Sequence, residues 1–232
     1  MEPFQFKKFS LKHGLSPMQI GVDSMLLGAW TDVSNCKKVL DIGTGCGILS
    51  FMCAQSNENA HITGIDISDS AVLEANENRI NSPWSNNMHF ELGNLKNYVP
   101  KQRFDLIITN PPFFNKQSLQ SPNSERAKAR HMEELELEDI FKFTHEHLAP
   151  NGRLSMVLPF DEFQKVQQMT CKYKFRINRL ATVKPKVEKD AHRILVEIGT
   201  DPNKLDVSEL VIRDLDNTYT PEYQALTQDF YR

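Results

Sequence analysis

From about Lys37 onward, short apolar runs alternate with longer amphipathic stretches, and this rhythm limits the folds open to the chain. Strand-length runs fall at Lys38–Ile42, His61–Ile67, Met88–Leu92, Phe104–Thr109 and Arg153–Leu158. Helical spacing fills the gaps at Gly47–Gln55, Asp69–Ile80, Met132–Leu148 and Asp161–Thr170. Strands that alternate with helices pair in parallel and cross over through those helices. Phe175–Val183 and Ile194–Gly199 read as a closing antiparallel pair. The expectation is an α/β fold with a seven-stranded, mostly parallel sheet and helices on both faces. Pro17–Trp30 has helical spacing from Val22, and Pro221–Tyr231 reads as a terminal helix with Pro in its first turn. No linker composition interrupts residues 1–232, so one domain is expected, with an N-terminal extension over about 1–35 and a C-terminal helix over about 221–231.

Composition removes several classes. The longest apolar runs, Phe104–Thr109 and Leu154–Phe160, fall far short of the roughly 20 residues that span a membrane. Met1–Ser10 has no apolar leader core, which suggests a cytoplasmic protein. Cys36, Cys46, Cys53 and Cys171 form no C-x-x-C pair, and His145 and His147 point to different faces of a helix, so no metal is expected. The net charge of −3 is unevenly spread. Residues 172–193 carry a local balance of +6 and residues 116–131 one of +3, while Lys7, Lys8 and Lys12 add three positive charges near the start. Charge segregated in this way can steer a polyanion to one face.

Three motifs carry chemistry. Val39-Leu-Asp-Ile-Gly-Thr-Gly-Cys-Gly47 leaves a strand and enters a helix. Glycines at 43, 45 and 47 let the backbone turn sharply and approach a ligand. The dinucleotide fingerprint would need a further glycine where Ile48 stands. Asp41, just before the loop, would repel a pyrophosphate but suits a cationic ligand such as S-adenosylmethionine. The pattern, with Thr44 inside the loop, resembles the first motif of class I methyltransferases. Gly64-Ile-Asp66 ends the next strand, where a carboxylate can accept bonds from both ribose hydroxyls. NAD enzymes use the same device, so Asp66 points to an adenosine-type ligand without naming it. Ile67, beside it, and Asn94, after the third strand, complete the expected cofactor pocket.

The third motif is Phe104-Asp-Leu-Ile-Ile-Thr-Asn-Pro-Pro-Phe113, a strand that runs straight into N-P-P-F. Two prolines end a strand well, but that alone explains neither Asn110 nor Phe113. The constellation resembles the [DNS]-P-P-[FYW] motif of amino methyltransferases. An exocyclic amine on a nucleobase has its lone pair delocalised into the ring and is a poor nucleophile. The Asn110 amide oxygen and the Pro111 carbonyl can each accept one of its N–H bonds and favour a pyramidal nitrogen. Pro111 and Pro112 fix the direction of the backbone because proline locks φ near −65°. Phe113 can stack on a base flipped out of its strand.

Two further stretches narrow the resemblance. Phe4-x-Phe6-x-x-Phe9 followed by Met18–Trp30, and Leu210–Arg213 followed by Tyr219–Tyr231, are similar to the ends of the bacterial tRNA1(Val) adenine N6-methyltransferases. The Ser124–Arg130 segment is similar too, so the likeness covers nearly the whole chain. The resemblance implies a Rossmann-like class I methyltransferase fold. It implies S-adenosylmethionine as methyl donor, S-adenosylhomocysteine as product, and tRNA as partner; a monomer is expected. It places Asp23 near the amino acid end of the cofactor, although Val22 stands where Thr is expected, and sets Arg126 and Arg130 over the active site. Lys184 and Lys186, in the basic segment, are the expected phosphate contacts. The motifs leave open a protein glutamine methyltransferase, an rRNA guanine-N2 methyltransferase, a DNA adenine methyltransferase and a non-catalytic RNA-binding module. The glutamine enzymes generally carry an N-terminal helical domain, and the DNA enzymes need a target-recognition domain.

Overall fold

The computed structural model describes residues 2–16, 20–112, 135–200 and 205–231. The predicted strands become β3 (Lys38–Ile42), β4 (His61–Asp66), β5 (Met88–Leu92), β6 (Phe104–Thr109), β7 (Leu148–Pro159), β8 (Arg176–Lys184) and β9 (Arg193–Gly199). They join an eighth, β10 (Asp206–Val211), in one sheet of order β10-β8-β9-β7-β6-β3-β4-β5. Every pairing is parallel except the two made by β9, which runs against β7 and β8. The closing antiparallel pair is therefore present, and the sheet has eight strands instead of seven. β10 hides from a periodicity reading because its first four side chains are exposed and Leu210 is its one buried residue. A short hairpin of β1 (Phe4–Gln5) and β2 (Ser10–Leu11) stands apart from the sheet.

Side chains alternate between two cores, as strands buried on both faces require. Val39, Leu106, Ile108, Val157 and Leu195 face one cluster; Leu40, Ile107, Leu154, Met156 and Val196 face the other. Helices α1 (Val22–Trp30), α2 (Ile48–Ser56) and α6 (Pro221–Thr227) contribute to the first cluster, and α3 (Asp69–Ile80) packs there through Ala75. Helices α4 (Leu137–His147) and α5 (Phe163–Lys172) cover the second. α4 starts at Leu137, later than expected, because Asp139 accepts the Glu136 backbone N–H at 3.0 Å and caps the first turn. α1 approaches α2 closely at Gly28, where a Cβ would meet Met52 Sδ at 2.5 Å. No helix among the described residues is long and apolar enough to cross a membrane.

Both ends of the chain pack on the first core. Phe6 stacks on Phe9 with ring centroids 4.2 Å apart, and Phe9 meets Phe51 of α2 and Trp84. The Lys7 N–H donates to the Phe230 carbonyl at 2.9 Å, and Gln55 donates to the Asp229 carbonyl. The next segment is held by α3. Glu74, almost fully buried, accepts the backbone N–H groups of Gly14, Leu15 and Ser16 at 2.7, 2.9 and 2.8 Å. The Asn78 side chain accepts from the Lys12 N–H and donates to the Lys12 and Cys46 carbonyls.

Glu74→Ala removes the acceptor for three backbone donors at once. It should lower the unfolding free energy in urea by about 1–3 kcal/mol, because the buried Ser16 N–H is left without a partner and the other two lose theirs to water. A loss below about 0.5 kcal/mol would mean that the 12–16 segment contributes nothing to the fold.

Candidate active site

The parallel register aligns the carboxyl ends of β3, β4 and β6: Ile42 lies opposite both Ile65 and Thr109. The strand order reverses between β3 and β6, and in open α/β sheets ligands bind at such a crevice. The glycine-rich loop forms its floor. Gly43, Gly45 and Gly47 have φ of 69°, 55° and 93°, so the loop needs a residue without a side chain at each. The N–H groups of Gly43 and Thr44 both donate to the Ile65 carbonyl, at 2.9 and 3.0 Å, and draw the loop across β4. A Cβ at Gly43 would meet nothing within 4 Å. One at Gly45 would lie 3.2 Å from Ser16 Oγ, a buried hydroxyl with no hydrogen-bond partner. The loop thus has open space on one side and the segment clamped by Glu74 on another.

The acidic residues hold this loop before they can hold a ligand. Asp41 is fully buried. Its Oδ2 accepts from Thr44 Oγ1 at 2.7 Å, Ser50 Oγ at 2.7 Å and the Ser50 N–H at 3.1 Å. Its Oδ1 is buried without a partner. Burial pushes the carboxyl up to about 6, against the downward pull of the Thr44 and Ser50 bonds. Asp66, half-buried, accepts the Gly45 N–H at 2.9 Å through one oxygen and the Ser68 N–H at 3.0 Å through the other. Ile67 beside it is 63% exposed. Asn94 turns its amide oxygen to the Lys96 N–H at 3.0 Å.

At the end of β6, Thr109 Oγ1 donates to the Ile42 carbonyl at 2.8 Å and ties the two strands together. Asn110 follows. Its Nδ2 donates to Ser24 Oγ at 2.9 Å, and its Oδ1 is buried with no partner. Pro111 is buried and Pro112 exposed. Phe113, Arg126 and Arg130 lie outside the described residues. Asp23, one residue before Ser24, accepts from Arg193 Nε at 2.9 Å. The first turn of α1 therefore reaches both β9 and the residue after β6. Ser16 and Ser24 are additions to the predicted set. Neither belongs to a motif that names a hydroxyl, and only folding brings them to the loop and to Asn110.

The basic segment is less uniform in space than along the chain. β8 is nine residues long, roughly 26 Å at strand rise. Lys172, Lys174 and Arg176 lie at or before its start, away from the crevice. Lys184 and Lys186 lie at its site-facing end and already have carboxylate partners: Glu209 at 3.0 Å and Glu188 at 3.2 Å. Among the described residues no group of three or more His, Cys, Asp or Glu is arranged to hold a metal ion. Burial pushes the Cys36 thiol up to about 11 and that of Cys46 to about 12, so neither is a ready nucleophile near neutrality.

Comparison with known proteins agrees with this geometry. The methyltransferase small domain family matches residues 16–186. The tRNA1(Val) (adenine(37)-N6)-methyltransferase of Vibrio vulnificus is 39% identical over 228 residues, covering 98% of this chain and 95% of the relative. The enzyme of the same name from Parabacteroides distasonis is 36% identical over 231 residues, covering 98% and 97%. That from Haemophilus influenzae is 35% identical over 234 residues, covering 100% and 99%. Among solved structures, a predicted O-methyltransferase from Agrobacterium tumefaciens superposes with a TM-score of 0.69 at 18% identity, over 90% of this chain and 96% of that one. A glycopeptide N-methyltransferase complexed with S-adenosylmethionine gives 0.54 at 13%, over 78% and 88%. These structural likenesses establish the fold.

The environment of Asp41 makes a prediction that needs no ligand. Its carboxyl rises from 3.8 to about 6 on folding, so between those values the folded chain binds more protons than the unfolded one. Its ionisation therefore costs stability as pH rises through that window, and the cost is constant above it. Asp41→Asn keeps an oxygen acceptor and removes the charge. The unfolding free energy of the variant relative to the parent should grow by on the order of 3 kcal/mol between pH 4 and pH 7. A difference that stays constant across those pH values would show that the folded chain holds this carboxylate at no cost.

Proposed function

We propose a reaction for a chain that belongs to the tRNA1(Val) (adenine(37)-N6)-methyltransferase family: transfer of a methyl group from S-adenosylmethionine to N6 of an adenine in tRNA. The target is the adenine 3′ of the anticodon in tRNA1(Val), and the product is S-adenosylhomocysteine. The observation that carries this reading is the Asn110 amide oxygen, buried without a partner at the carboxyl end of β6. Such an acceptor is costly to leave unmade, and an amine that brings two N–H donors satisfies it.

The crevice fits the cofactor. The glycine loop leaves room for a ligand against its backbone at Gly43. Asp41 Oδ1 and Ser16 Oγ are buried polar atoms without partners, one an acceptor and the other able to donate or accept. We assign Asp41 to the cationic amino acid end of the cofactor, with Asp23 nearby. Asp66 is assigned to the ribose hydroxyls, where each oxygen can take a second bond besides its backbone donor. Gly43, Thr44, Gly45 and Gly47 form the floor, and Ile67 and Asn94 border the adenine. When bound, S-adenosylmethionine supplies a methyl group made electrophilic by the sulfonium.

The protein's task is to present the amine. Asn110 Oδ1 takes one N–H and the Pro111 carbonyl takes the other, which turns the nitrogen lone pair out of the ring plane. An amide is no base at neutral pH, so Asn110 orients the amine and does not deprotonate it; the surplus proton passes to solvent water once the methyl group has been transferred. Phe113 stacks on the flipped base, and Pro112 holds the turn between the two. Arg126 and Arg130 contact phosphates near the site. Lys184 and Lys186 can do so by exchanging Glu209 and Glu188 for phosphate. The reading makes this a cytoplasmic enzyme, in which the N-terminal extension and α6 belong to the same methyltransferase domain.

Hydrogen bonds that strengthen as the amine pyramidalises act on the transition state more than on the ground state. Asn110→Ala should therefore lower the single-turnover rate of methyl transfer to unmodified tRNA about a hundredfold or more, with tRNA affinity nearly unchanged. A variant with a near-parental rate would remove Asn110 from the chemistry.

A further inference from the structure

The two ends of the Asn110 amide are alike in size and opposite in hydrogen-bonding sense. With the oxygen toward the crevice, the residue accepts from an amine. Turned by half a rotation about the last side-chain torsion, it would present an NH2 group, whose hydrogens meet those of the amine head on. That torsion is soft in asparagine, so the place and plane of the amide need a hold outside the residue. Ser24 supplies it: its Oγ accepts from Asn110 Nδ2 at 2.9 Å across 86 residues of sequence, and the amide oxygen is left toward the crevice. Ser24 is only 7% exposed, so water competes little for this bond.

The support beneath Ser24 is rigid. It stands in the first turn of α1, beside Asp23, which is tied to Arg193 of β9 at 2.9 Å. Farther along, Gly28 presses α1 against Met52 of α2 with no room for a Cβ. The far wall is fixed too, since Thr109 is bonded to the Ile42 carbonyl. Neither partner can drift without breaking one of these contacts.

We infer that Ser24 is a positioning residue for methyl transfer: its hydroxyl, bonded to Asn110 Nδ2, anchors the amide in the place and plane at which its free oxygen meets the amine. This rests on the reading of Asn110 as the acceptor for the amine.

The test is a double-mutant cycle in single-turnover methyl transfer, with tRNA binding followed separately. Ser24→Ala should slow transfer about ten- to a hundredfold and leave tRNA affinity nearly unchanged. Ser24→Thr, which keeps a hydroxyl, should recover most of the rate. Ser24→Ala should add nothing in an Asn110→Ala background, because a residue acting only through another has no effect once that other is gone. The Asn110 side-chain amide resonances in 15N-edited spectra should shift and lose protection from exchange in Ser24→Ala, which reports the bond without any turnover. Parental activity in Ser24→Ala, or losses that multiply in the double variant, would overturn the inference and leave Asn110 in its role. An unimpaired Asn110→Ala enzyme would overturn the reading of Asn110, and this inference with it.

Discussion

The crevice depends on one carboxylate oxygen. Asp41 Oδ2 gathers Thr44 Oγ1, Ser50 Oγ and the Ser50 N–H, and so sets the turn by which the chain leaves β3 and enters α2. Three positive-φ glycines permit that turn, and the bonds of Gly43 and Thr44 to the Ile65 carbonyl seat it on the neighbouring strand. Asp66 then takes hold of the Gly45 N–H from the end of β4. The carboxylates proposed to hold a cationic, ribose-bearing cofactor are thus the ones that shape the glycine loop. Burying Asp41 raises its carboxyl to about 6, so this architecture carries a cost in stability at neutral pH.

The proposed reactive end is built differently, from contacts between distant parts of the chain. β6 delivers Asn110, and α1 delivers Ser24 and Asp23 to the same place. The N-terminal segment reaches the opposite wall through Glu74, which brings Ser16 over Gly45. Residues before the first sheet strand therefore line the crevice at both the glycine loop and the N-P-P turn, and the aromatic ladder of Phe4, Phe6 and Phe9 anchors them to α2. This gives a physical reason for the N-terminal motif: it carries the packing and the polar contacts that border the crevice.

Period and local chemistry made much of this legible in the sequence. β3, β4, β5 and β6 follow from apolar runs, and the glycine loop from residue types that only a left-handed turn explains. β10 escaped because an edge strand with four exposed side chains carries no apolar period. The hairpin of β1 and β2 escaped because two-residue strands leave no pattern. The bond between Ser24 and Asn110 has no local signature, since a serine in an apolar helix reads as filler until the fold brings it to a partner. The basic stretch over residues 172–193 was legible as charge, but not as geometry. The length of β8 separates its two halves, and Glu209, opposite Thr182 on the adjacent strand β10, reaches Lys184 diagonally.

Methyl transfer to one atom of one nucleotide is open to product analysis. The purified protein would be incubated with unmodified tRNA1(Val) and S-adenosylmethionine, and the RNA digested and mapped by mass spectrometry. A single added methyl group is expected, found as N6-methyladenosine at the adenine 3′ of the anticodon. Methylation on guanine N2, methylation of an adenine elsewhere in the tRNA, or RNA recovered without a methyl group would contradict it.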